Sequence, residues 1–157
     1  MKKLFFVLII LIITLTSKAQ IISTYAGNGV PGFSGDGGQA IIASLDHSAG
    51  IMFDNMDNLF ICDVNNNRIR KVDTTGIITT IAGTGTSGYN GDGIPAINAQ
   101  IKSPHFIIFD NNENMYFSDS HNNRVRRIDT TGIITTIAGN GGFGAIGDNG
   151  LATDAEI

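Results

Sequence analysis

The groups in this sequence that could do chemistry are three histidines, one cysteine and a set of Asp and Arg residues at fixed spacing. Histidine is the ordinary general base near neutral pH and the commonest metal ligand, so His47, His105 and His121 come first. Metal sites need ligands that converge in a defined geometry. A thiol acts as a nucleophile only when something lowers its pKa, yet Cys62 sits in the apolar run Leu59-Phe60-Ile61-Cys62. Asp63 with Arg68 and Asp119 with Arg124 bracket two similar polar stretches and predict a repeated ion pair or turn cap. These four residues and His105 are the candidate binding residues; no catalytic residue and no metal-binding residue is assigned.

Other chemistries fail on spacing. The run Asp110-Asn111-Asn112-Glu113-Asn114 is rich in side-chain oxygens, as a calcium loop is, but Met115 stands sixth where that loop needs Gly and His121 twelfth where it needs Glu. The Gly-Asn-Gly and Gly-Asp-Gly stretches are not followed by Lys-Ser/Thr and open no helix, so they are not phosphate cradles. No serine lies in a Gly-x-Ser-x-Gly elbow. The residues point to no cofactor.

What positions these residues is an internal repeat. The eleven residues from Asp73 to Gly83 recur unchanged from Asp129 to Gly139, an offset of 56. The same offset carries Asp36 onto Asp92 and Asp148, and Asp54, Asp63, Asn67 and Arg68 onto Asp110, Asp119, Asn123 and Arg124. It places Ser103, Ala49 and Asn65 opposite His47, His105 and His121, so no ring of equivalent imidazoles is expected, and Ser118 opposite Cys62, so sulfur is not required there.

Within one period, turn residues separate short apolar runs. Phe106–Phe109 is uninterrupted, as in a strand covered on both faces. Met115–Ser118, Arg124–Ile128 and Ile133–Ala138 follow, divided by Asp/Asn-rich and Asp-Thr-Thr-Gly turns. The period predicts an all-β fold of four-stranded antiparallel sheets, with blade strands at about 47–83 and 105–139 and partial modules at both ends. The glycine-rich stretch Thr84–Ser103 reads as an ordered crossing loop whose Ala96, Ala99 and Ile101 tuck between neighbouring sheets. Ile21–Ala26 reads as a fourth strand without its first three.

Gly91-Asp92-Gly93-Ile94-Pro95-Ala96, Pro104, Met115–Asp119, Asn123–Asp129 and Gly132–Gly139 together resemble the NHL repeat. The resemblance implies blades of a β-propeller, and here an incomplete one. Members of that family mostly bind proteins; some bind RNA or are enzymes such as lyases. Phe106 and Ser48 depart from the Gly and Pro usual at those places. Sheets of this kind need neighbours on both sides, which predicts further blades from a longer parent chain or, second to that, self-association.

The first residues differ in kind. Lys2 and Lys3 precede the apolar run Leu4–Leu15, and Ser17 and Ala19 suit a peptidase, so residues 1–19 read as a signal peptide cleaved before Gln20, leaving 20–157 as the propeller fragment. The run is shorter than the ~20 residues of a membrane span. Losing Lys2, Lys3 and Lys18 leaves 7 basic against 14 acidic side chains, which disfavours a nucleic acid partner. The expectation is a secreted, periplasmic or cell-surface module that binds an extracellular protein or glycan, without catalysis of its own. The alternative is an exported propeller enzyme, a metal-dependent lyase or lactone hydrolase, whose site other blades complete.

Overall fold

The structure is a computed structural model, which describes residues 21–157. The predicted signal peptide therefore lies outside the described residues. Among those described, no helix is long and apolar enough to cross a membrane.

Short apolar runs between Asp- and Asn-rich turns become strands. The first sheet contains β1 (Ser48–Phe53), β2 (Leu59–Asp63), β3 (Arg68–Val72) and β4 (Ile78–Ala82), paired antiparallel in that order. After a crossing segment that contains β5 (Ile94–Pro95), the second sheet contains β6 (Pro104–Phe109), β7 (Met115–Asp119), β8 (Arg124–Ile128) and β9 (Ile133–Ala138). Its order is β5-β9-β8-β7-β6. The crossing segment thus does more than the sequence suggested: two of its residues join the outer edge of the sheet it leads into, opposite Ile133 and Ile134. A single bridge between Gln39 and Ile77 does the same for the first sheet.

One turn chemistry closes the hairpins of both sheets. Asp73 Oδ1 accepts from the Thr75 hydroxyl and from the N–H groups of Thr75 and Ile77, and Asp129 does the same with Thr131 and Ile133. Asp110 accepts from the Asn114 side chain, from the backbone of Asn112 and Asn114 and from the Tyr116 hydroxyl. These are side chains replacing ladder partners where the chain reverses.

The two sheets pack face to face. Phe60, Cys62, Ile69 and Ala82 of the first meet Ile107, Met115, Phe117, Ile128 and Ile134 of the second, and Ala96, Ala99 and Ile101 of the crossing segment fill the seam, each at most 2 % exposed. This is the placement the sequence predicted for those three residues. The seam is tight at the innermost strands: a Cβ on Gly50 would press on the His105 carbonyl and lie 2.9 Å from the Phe106 Cα. Burial raises the Cys62 thiol to about 12, so it packs as a small apolar group.

Two expectations do not hold. Ile21–Thr24 has no ladder partner among the described residues; of the rest of that run, the Tyr25 ring lies edge-on to Phe53 at 6.4 Å and Ala26 packs against the buried cluster that contains Ala40, Leu59 and Ile78. The run Phe106–Phe109 is covered on one face only. Ile107 is buried against the first sheet, while Phe106 and Ile108 are 74 % and 59 % exposed on the other side.

Two outcomes follow from this packing. Ile101→Ala leaves a void between the sheets and lowers the unfolding free energy by about 2–5 kcal/mol, read from urea denaturation. For the turns, hydrogen bonds from Thr75 and Ile77, from Asn114, and from Thr131 and Ile133 hold Asp73, Asp110 and Asp129 below the ordinary carboxyl value of 3.8. A carboxyl lowered on folding contributes stability that is complete above its unfolded value and lost as pH falls through the folded one. The urea midpoint therefore drops below about pH 4, and the double variant Asp73→Asn, Asp129→Asn shows a flatter acid limb.

Candidate functional site

Each sheet has one end where the crossing segment arrives and the turn between its second and third strands lies. The polar residues singled out in the sequence converge there.

In the ladder, Asp63 stands opposite Arg68 and Asp119 opposite Arg124. Of the two readings offered, ion pair or turn cap, the fold takes the cap: the Asn66 and Asn122 amides donate to Asp63 and Asp119, and Arg68 and Arg124 donate to the carbonyls of those same turn residues, while the ion pairs go elsewhere. Asp63 pairs with Arg70 at 3.3 Å and Asp119 with Arg126 at 3.3 Å, the residues two positions further along the same face. All four side chains are fully buried. Strand periodicity explains the swap, since a diagonal neighbour on the same face lies within reach of a long side chain. Arg68 is drawn outward instead: its guanidinium donates to the carbonyls of Asn66 and Thr84 and lies 3.7 Å over the Phe33 ring. Arg124 donates likewise to Asn122 and Asn140 and stacks on Tyr89 at 3.9 Å.

The buried arginines tie loop to sheet. Arg70 also reaches Asp36 at 2.7 Å and the Ser34 carbonyl; Arg126 reaches Asp92 at 3.0 Å and the Gly91 carbonyl. Each thus bridges a carboxylate of its own sheet and one of the crossing segment before it. Asp119 accepts further bonds from the Asn122 amide and the Lys102 N–H. Burial still pushes its carboxyl above the ordinary value, against the pull of those donors and of Arg126. These groups are committed to structure, so Asp63, Arg68, Asp119 and Arg124 present little to a ligand.

The histidines behave otherwise. Although they occupy three different repeat positions, the fold sets them in a row: His47 and His105 are 6.2 Å apart between ring centroids, and His105 and His121 are 6.5 Å apart. Nδ1 of His105 lies 2.8 Å from the Ser103 carbonyl, a contact in which Nδ1 carries the N–H and donates, while Nε2 has no hydrogen-bond partner among the described residues. His47 and His121 are exposed. Among the described residues, no group of three or more His, Cys, Asp or Glu is arranged to hold a metal ion. Sequence reasoning kept His105 and passed over its neighbours, because repeat position alone does not report which turns of adjacent sheets meet.

Comparison with known proteins bears on the whole of this geometry. The family model described as the Teneurin NHL domain matches twice, over residues 14–90 and 84–157. Teneurin-1 of Gallus gallus is 32% identical over 100 residues, a match covering 55% of this chain and 4% of that protein. Protein SUPPRESSOR OF QUENCHING 1, chloroplastic, of Arabidopsis thaliana is 29% identical over 86 residues, covering 54% of this chain and 8% of the relative. A structural genomics protein of unknown function from Bacteroides thetaiotaomicron superposes with a TM-score of 0.57 at 23% identity, over 64% of this chain and 25% of its own. The chain therefore spans a quarter or less of the length of each of these three proteins.

The observed pairing is open to a direct check. Arg126→Met strands a buried carboxylate and costs about 3–5 kcal/mol in urea denaturation, whereas Arg124→Met costs less. Without Arg126, Asp119 rises further above its unfolded value, and stability tied to a raised carboxyl is present at low pH and lost as pH rises. The penalty is therefore larger at pH 7 than near pH 4; equal penalties for the two arginines would contradict the assignment.

Proposed function

The chain belongs to the Teneurin NHL domain family, and from that premise we propose an exported β-propeller module that binds an extracellular protein or glycan through the crossing-loop end of its blades. The observation that carries this reading is the row of His47, His105 and His121. Groups repeated in both blades serve the fold, as the two buried arginines do. The three imidazoles have no counterpart at the equivalent positions, and two of them are exposed beside the free Nε2 of the third. Imidazole both donates and accepts hydrogen bonds, which suits peptide groups and sugar hydroxyls alike. The acidic balance and the leader-like first residues support an extracellular partner over a polyanion.

A second reading is supported by the same row. An imidazole whose other nitrogen is anchored to a carbonyl resembles a metal ligand or general base with its orienting partner, so a propeller enzyme whose site further blades complete is the rival. Stoichiometric zinc or calcium that survives dialysis and disappears in His105→Ala would favour it.

The binding reading is tested by immobilising the chain and measuring retention of secreted proteins and of arrayed glycans. His121→Ala, an exposed change, is expected to weaken the retained partner about tenfold while leaving the unfolding midpoint in place. Retention of nothing by the wild-type chain, or the same retention by His121→Ala, would count against it.

A further inference from the structure

The seam between the two sheets is sealed only in part. Ala96, Ala99 and Ile101 fill one stretch of it. Beside them an open cleft of about 350 Å³ remains, lined by Phe60, Phe109, Met115 and Ile128 among others, with no residue of the crossing segment in its wall. That volume lies at the lower end of the roughly 300–1,000 Å³ of ligand pockets. Phe60 and Phe109 meet edge to face in it at 4.9 Å, which gives the floor a rigid aromatic corner. Met115 and Met56 add adaptable thioether surface, and Met56 is 68 % exposed at the mouth.

The rim is charged and unbalanced. Asp54, Glu113 and Asp129 face the opening together with a single cation, Lys71. Glu113 is held in place from the neighbouring blade by the Asn55 amide, and Asp54 and Asp129 are fixed by their own turns. Three fixed carboxylates against one ammonium favour a cationic visitor, and the floor favours an apolar one.

We infer that this inter-blade cleft takes an extended peptide segment, with an aromatic or large aliphatic side chain seated on the Phe60–Phe109 floor and an adjacent Lys or Arg at the Asp54–Glu113–Asp129 rim. The surface is separate from the histidine row, and the inference does not depend on what that row binds. Two blades are needed to form it, since Phe60 and Lys71 come from one sheet and Phe109, Met115 and Asp129 from the other.

The test titrates the full chain with two blocked peptides, Ac-Ala-Phe-Lys-Ala-amide and Ac-Ala-Phe-Glu-Ala-amide, following backbone amide shifts by NMR at low salt. The expected result is movement of the Glu113, Thr130 and Gly132 amides with the lysine peptide and about tenfold weaker binding of the glutamate peptide. Glu113→Lys leaves two carboxylates against two ammonium groups and should abolish that preference, and His121→Ala should leave it unchanged. Equal binding of the two peptides, shifts confined to other residues, or no saturable shift would overturn the inference.

Discussion

A guanidinium buried between two carboxylates is the constraint on which the rest of this architecture depends. Taking an arginine wholly out of water costs several kcal/mol unless its charge and donors are met. In each blade the partners come from two places, one carboxylate on the second strand and one in the glycine-rich crossing segment. The segment cannot leave without taking one of the two carboxylates away from a guanidinium that is wholly buried. Thr84–Ser103 is therefore an ordered part of the blade despite a composition that disfavours order, and from that anchor Ala96, Ala99 and Ile101 are delivered into the seam.

The same logic governs how sheets stack. Gly50 lets the inner strands of the two blades come together, with no room for even a methyl group. One period later the position holds Phe106, mostly exposed, beside Ile108, Tyr116, Ser118 and Val125, which repeat the face that is covered on the first blade. The far face of the second blade is thus apolar like its twin but differently shaped. A sheet docked there in the same way would meet the ring of Phe106 where the second blade meets a glycine. Meanwhile the segment after β9 already runs as the earlier crossing segment does: Gly139 and Asn140 donate to Ala152 and Ala155 as Gly83 and Thr84 donate to Ala96 and Ala99.

Most of the strand framework was legible because the repeat prints it twice. The runs Arg124–Ile128 and Ile133–Ala138 are strands with the bounds the turn residues gave them. Three features were not legible, each for a reason that lies in space. The partner of Asp63 was misread because the closest arginine in sequence is opposite in the ladder, while the diagonal one points inward. The histidine row was missed because adjacency between turns of neighbouring sheets depends on how the sheets stack, which spacing within a period does not report. Ile21–Ala26 matches the fourth strand Ile77–Ala82 at four of six positions, yet a strand needs a ladder partner as well as a sequence, and the described residues supply none.

A division of labour follows. Several polar residues that both blades carry are bonded by the fold itself: Asp63 and Asp119, Arg68 and Arg124, Asp73 and Asp129 have their bonds within the module. Where the blades differ at an exposed position, the fold makes no such demand, and His47, His121 and Met56 are of that kind. Repetition marks what every blade needs in order to stand, because each must bury an arginine and close the same hairpins. Departure from repetition is where selection for a partner has room to act, and it falls here on two surfaces: the end that receives the crossing segments, and the open part of the seam between sheets.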